Sequence, residues 1–222
     1  SDPVVQNEIV KLSQHCLLKA YPDSFDSSNY DIIKCWRCGC QAAALNIQAL
    51  EDDFTLFNTV FFYQNRKCGF VLKPPRLLDP NTTFKYEQST HTLKMKIISC
   101  YNLLKLIEMN EDVLYEKGKL TMEIYSLGGE KDDLNPHKKY ELEGGLMFPV
   151  IKDNDMSIEM PIYEDELGGI MIKFAYDGRL IGRGCIPYCM MKNGIRKVPI
   201  FDNDCYICDG AFVLGFFQKK CH

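Results

Sequence analysis

Cysteine supplies the most conspicuous chemistry-bearing pattern in this chain. Eleven cysteines occur in 222 residues, and two groups, Cys35-x-x-Cys38-x-Cys40 and Cys205-x-x-Cys208, have the spacing of metal ligands. A tetrahedral zinc site takes four such ligands, yet these groups lie far apart in the chain and fall in segments of different character. A cysteine in apolar surroundings is otherwise a small buried hydrophobe. The odd count, and the lack of a basic-then-apolar leader after Ser1-Asp2-Pro3, argue against a disulfide framework. Free thiols are therefore the expectation, with a zinc-stapled scaffold as a rival reading. The four histidines, His15, His91, His137 and His222, each stand alone in polar segments, the usual setting of a surface imidazole.

Positioning such groups takes elements, and the chain offers two kinds. A helix is expected over 7–16, then a strand over 17–21 that Pro22 stops. Asp26-Ser27-Ser28-Asn29 is rich in cap-forming side chains and precedes a short helix over 30–36 that Gly39 ends. The apolar run 42–48 suits a strand covered on both faces. Glu51-Asp52-Asp53 suits the start of a helix over 54–64. This is two units of an α/β barrel that needs eight to close, so the segment must lean on something else. After a linker with turn chemistry around 78–83 the pattern becomes short alternating strands, at 93–98, 120–125, 137–142, 148–151, 156–162, 169–176, 180–186, 197–201 and 211–217. Short strands at such spacing predict an antiparallel β-sandwich. The expected division is 1–75 for the partial barrel, 76–91 for the linker and 92–222 for the sandwich. A net charge of −4 gives no reason to expect a nucleic-acid binder, whose footprint is usually basic. No run of 18 apolar residues occurs, so the reading is a soluble, intracellular chain with peripheral membrane contact.

Tyr21-Pro22, then Asp26-Ser27-Ser28-Asn29-Tyr30, then Trp36, Gly39-Cys40-Gln41 and Ala44-Leu45-Asn46 with Gln48 form an ordered set. It resembles the end of the second catalytic half, the Y-box, of eukaryotic phosphoinositide-specific phospholipase C. Gly69-Phe70-Val71-Leu72-Lys73-Pro74 resembles the run that follows the last barrel helix of that family. The strand at Leu93 and the run Ile181-Gly182-Arg183-Gly184, ending at Ile186-Pro187, resemble its C2 domain. The resemblance implies an enzyme that hydrolyses phosphatidylinositol 4,5-bisphosphate to inositol trisphosphate and diacylglycerol. It implies calcium and catalytic histidines supplied by an upstream half, so that the chain alone would be inactive. It also implies a phosphoinositide lipid, the membrane surface and that upstream half as partners.

Carried over residue by residue, Tyr21 would stack on the inositol ring and Lys19 would meet a ring phosphate. Lysine stands where the family usually has arginine, giving a point charge without a bidentate fork. The loop from Pro22 to Asp26 is two residues shorter than the family's. Asp26, Ser28 and Asn29 suit turns and capping, and Trp36 with Gln41 suits packing. Calcium wants six to eight oxygens. The loop Tyr176-Asp177-Gly178-Arg179 offers one carboxylate beside an arginine, opposite the acidic stretch with Glu108, Glu111, Asp112 and Glu116. No tight calcium site is expected in this chain; lysines, among them Lys94, Lys96, Lys138, Lys139, Lys219 and Lys220, would meet anionic lipid. The alternative is a non-catalytic module that keeps the C2 fold to bind lipid or protein.

Overall fold

A computed structural model describes residues 3–23, 26–79, 81, 89, 91–108, 118–129, 137–151 and 157–221. Helix α1 (Pro3–Ser13) starts on a proline, whose missing N–H has no partner to lose in a first turn. Strand β1 (Lys19–Ala20) pairs in parallel with β2 (Ala42–Ala43), Lys19 opposite Ala42 and Ala20 opposite Ala43. Helix α2 (Ile32–Arg37) crosses between them, and α3 (Asp53–Phe61) follows β2. The expected strand–helix–strand–helix order is present.

Its details differ from expectation where side chains choose other partners. The cap of α2 is Asp31, which accepts from Ile33 N at 3.0 Å and Lys34 N at 3.3 Å. Asp26 instead accepts from the N–H of Ser28 at 2.9 Å. The run 42–48 yields only two strand residues because a ladder needs a neighbour, and Asn46 turns to Asn29 instead, its N–H donating to Asn29 Oδ1 at 2.7 Å. Helix α3, capped by Asp52 through Phe54 N at 2.7 Å, ends at Phe61. Soon after it, Asn65, Arg66 and Lys67 turn left-handed, with φ of 53°, 58° and 61°.

The remaining strands are β3 (His91–Tyr101), β4 (Leu120–Leu127), β5 (His137–Glu143), β6 (Val150–Ile151), β7 (Ser157–Ile162), β8 (Gly169–Tyr176), β9 (Arg179–Pro187), β10 (Gly194–Phe201) and β11 (Ile207–Cys221). A short helix, α4 (Leu104–Glu108), follows β3. All pair antiparallel in the order β6-β5-β4-β8-β9-β10-β11-β3-β7. The ladder narrows at β9–β10 to one pair, Phe201 opposite Arg183, where the sheet folds over into two layers. Strict alternation in β3 and β4 sends Leu93, Met95, Ile97, Met122 and Ile124 into the core between the layers. The result is an antiparallel C2-type β-sandwich.

A second core joins the two parts. Ile32, Ile33 and Trp36 of α2 and Leu56, Phe57 and Phe61 of α3 pack against Leu127, Met171, Cys185 and Phe201 of the sandwich. Trp36 stacks on Phe61 with ring centroids 4.5 Å apart. Gly169 permits the approach, since a Cβ there would lie 2.5 Å from Phe57 Cε2. Helices α2 and α3 thus carry two strands that cannot close a barrel against the outer face of the sandwich. Phe57→Ala should therefore destabilise the whole chain, by about 3–5 kcal/mol, in urea unfolding followed by both tryptophan fluorescence and far-ultraviolet circular dichroism. Loss of the fluorescence transition alone would show that the second core does not couple the parts.

Candidate functional site

The carboxyl ends of β1 and β2 carry the groups singled out above. Backbone bonds from Ala42 N to Leu18 O (3.2 Å) and Ala44 N to Ala20 O (2.9 Å) hold the strands together. Gln41 fastens the amino end: its Oε1 accepts from Leu18 N at 2.9 Å and its Nε2 donates to Ser13 O at 2.8 Å. At the other end, Tyr30 OH donates to Ala44 O at 2.7 Å. Asn29 Nδ2 donates to Asn46 O and Thr55 Oγ1, both at 3.2 Å. Asp26, whose carboxyl is held below the usual range by hydrogen bonds from Ser28, closes the turn between them. These polar residues of the motif lash the two loops together.

On that frame Lys19 and Tyr21 come together. Lys19 Nζ lies 5.9 Å from the centroid of the Tyr21 ring, at the outer edge of cation–π range, and Tyr21 is 66% exposed. Both border a shallow depression of about 250 Å³ whose other walls are Ala20 and Ala42 to Ala44. Small walls, an exposed aromatic face and one cation are suited to a ring bearing an anionic substituent.

Other groups read from sequence are placed elsewhere. His15 is exposed, His91 Nδ1 lies 3.6 Å from Asp165, and His137 Nε2 lies 3.7 Å from Glu123; His222 lies outside the described residues. Asp177, with φ 48°, has Oδ1 accepting from Lys119 N at 2.6 Å, so its carboxylate closes a turn. Glu111, Asp112 and Glu116 lie outside the described residues, as does the side chain of Glu108. The zinc spacing resolves into two unrelated settings: Cys35, Cys38 and Cys40 surround the end of α2, while Cys205 Sγ donates to Leu50 O at 3.5 Å and Cys208 is buried in the sandwich core.

Three features left no local signal. Among the described residues one carboxylate group, Glu164, Asp165 and Glu166, brings oxygens within 4.8 Å of one another. Cations already face it. Glu164 meets Arg37 Nε at 3.2 Å and Arg76 Nη2 at 2.6 Å, Arg76 also pairs with Glu166, and Lys219 lies 4.0 Å from Asp165. That set does not fit a calcium ion. Next, an apolar cavity of about 440 Å³ is lined by Leu17, Trp36, Cys40, Phe61, Leu72 and Lys73 among others. Burial lowers the Lys73 pKa below the usual lysine value while Cys40 opposes this. Last, Arg183 is fully buried, its guanidinium donating to Glu51 O at 2.8 Å and to Leu50 O, beside Asp53 at 3.4 Å.

Residues 2–76 match the family model Phosphatidylinositol-specific phospholipase C, Y domain, and an antiparallel C2-type sandwich follows. The chain is 30% identical over 220 residues to 1-phosphatidylinositol 4,5-bisphosphate phosphodiesterase delta-1 of Rattus norvegicus, covering 89% of this chain and 27% of that protein. It is 28% identical to the 1-phosphatidylinositol 4,5-bisphosphate phosphodiesterase of Dictyostelium discoideum, covering 88% of this chain and 25% of that one. The crystal structure of L. pealei PLC21 superposes with a TM-score of 0.77 at 22% identity, over 98% of this chain and 28% of that one. The chain therefore spans about a quarter of the length of these relatives. No helix among the described residues is long and apolar enough to cross a membrane.

The thiols yield a test of this geometry. Burial, then the neighbouring Cys40 and Cys38, pushes the Cys35 thiol up to about 12, and burial pushes Cys100 to about 12 and Cys38 upward. A raised thiol pKa favours the neutral folded form, so its stabilising effect is complete below the unfolded value of 9.0 and fades as pH rises toward 12. Iodoacetamide at about pH 8 should label the exposed Cys16, Cys68 and Cys221 well before Cys35, Cys38 and Cys100, as read by peptide mass spectrometry. Early labelling of Cys35 would contradict its placement.

Proposed function

We propose that this chain is part of a phosphoinositide-specific phospholipase C that hydrolyses phosphatidylinositol 4,5-bisphosphate to inositol trisphosphate and diacylglycerol. The observation that carries the reading is the exposed Tyr21 ring with Lys19 beside it, at the carboxyl end of a parallel strand pair. That is where α/β folds bind ligands. In this reading Tyr21 stacks on the inositol ring and the Lys19 ammonium meets a ring phosphate as a point charge. The division into a partial barrel (1–75), a linker (76–91) and a C2 domain (92–222) belongs to the same proposal.

The rest of the machinery comes from an upstream half of the same enzyme. Two strands form no barrel mouth; His91 and His137 lie on β3 and β5 of the sandwich, and the exposed His15 lies in the turn after α1. Calcium and the proton-transferring histidines are assigned to that half, where calcium would stabilise charge developing on the phosphate. The exposed Leu17, Phe70 and Leu72 offer an apolar surface for that half to cover. The sandwich brings the enzyme to the membrane as a peripheral protein of the cytoplasm.

In a polypeptide that includes both barrel halves, Tyr21→Ala should lower turnover of phosphoinositide vesicles about fivefold or more, the loss of an aromatic contact on the order of 1 kcal/mol, with the melting temperature unchanged. Wild-type kinetics from that variant would remove the pocket assignment. The purified 222-residue chain should release no inositol trisphosphate from the same vesicles with calcium present; measurable release would place the catalytic groups within this chain.

A further inference from the structure

An antiparallel sheet with one face on the core ordinarily presents polar side chains on the other. The outer face of β10, β11 and β3 departs from this. Register places Pro199, Phe212 and Tyr101 in one row and Ile195, Phe216 and Lys96 in another, opposite the buried Val198, Val213 and Ile97. Tyr101 and Phe212 stack with centroids 4.5 Å apart and planes inclined by 20°, and Lys197 Nζ lies 4.3 Å from the Phe212 centroid. A register shift in β3 against Leu214 and Gly215 leaves Ile98 outside the ladder. Ile98, Ile195 and Phe216 are 41%, 58% and 42% exposed. The described charges on this face are cationic, Lys94, Lys96, Lys197 and Lys220, except for Glu159 on β7, which Lys94 meets at 3.0 Å. The face is basic in a chain whose net charge is −4.

The geometry points to this face as a docking floor for a protein partner: an amphipathic helix whose apolar stripe is bordered by carboxylates. Neighbouring strands lie about 4.8 Å apart, so three of them span roughly 10 Å, the diameter of one helix. The Tyr101 and Phe212 rings stack on each other and so cover one another, leaving Ile98, Ile195 and Phe216 as exposed apolar groups within a sheet face, whereas a membrane-bound helix buries its apolar side about 5–10 Å into the headgroup and acyl boundary. A second copy laid face to face would oppose lysine to lysine, which charge complementarity disfavours. Carboxylates flanking an apolar helical stripe satisfy both the lysines and the exposed Ile195 and Phe216. The surface is distinct from the Tyr21 depression and does not rest on the lipid chemistry proposed there.

The test is a display library of helices of about 18 residues, with apolar positions at i, i+3, i+4 and i+7 and all other positions random, selected against the whole purified chain. Selected helices should carry Asp and Glu beside the apolar stripe. Phe216→Asp and Ile195→Asp, each at an exposed position and checked for unchanged melting temperature, should each weaken their binding at least about tenfold. The double variant Lys96→Glu/Lys197→Glu should shift selection toward Lys and Arg. The inference is overturned if no helix is selected, if selected helices lack the acidic bias, or if both single variants bind as wild type. It is also overturned if phosphatidylcholine–phosphatidylserine vesicles bind the chain without calcium and lose binding on the same substitutions, because the face would then belong to a bilayer.

Discussion

Burial of the Arg183 guanidinium is the constraint on which the arrangement depends. The side chain leaves β9 in the sandwich, is 0% exposed, and ends among the carbonyls of Leu50 and Glu51 and the carboxylate of Asp53. Taking a guanidinium out of water costs several kcal/mol unless its N–H groups are matched, and here the matching oxygens belong to the loop and helix start after β2, with Cys205 Sγ 3.5 Å from Nη2. Asp53 is shared, since Tyr125 OH donates to it and Lys173 Nζ lies 2.6 Å away. Burial, with Asp53 adding to it, raises the Tyr125 pKa and keeps its phenol a donor. The loop that follows β2 is therefore held by the sandwich as well as by Asn29 and Tyr30 of its own part.

The apolar contacts are arranged around this point. Gly182 and Gly184 flank the arginine because a Cβ at either would meet Leu106 at 2.9 Å or Pro199 O at 2.9 Å. Strand β9 can then press close to β10 while Arg183 reaches the other way. Cys185, two residues on, adds to the second core with Met171 and Phe201. One strand thus contributes small residues to one side and an anchor to the other, as period-two alternation allows.

Much of the sandwich was legible because alternation is a local signal. The run 169–176 coincides with β8, and the runs at 120–125, 137–142 and 180–186 fall inside β4, β5 and β9. The first part was legible in order but not in detail. Four consecutive cap-forming residues, 26–29, stood closer to the motif than Asp31, and only tertiary partners for Asn29 decide between them. The paired placement of Lys19 and Tyr21 followed from their spacing of two along an extended segment. Arg183, Arg37 and Glu164 were not legible as a set, because the Arg37–Glu164 contact joins residues 127 apart. Nothing in the neighbourhood of either residue announces the other.

Glu164 has a consequence of a mechanical kind. It grips Arg37 from α2 and Arg76 from the segment after the barrel units, while Arg183 grips the start of α3. A joint held by one pin can swivel; a joint held by two separated pins has a fixed heading. Directional charge contacts also resist partial displacement, since a shift of an ångström or two strands a buried ion without its counterpart. Any rearrangement between the strand pair and the sandwich would then be a discrete release of a pin, never a gradual slide.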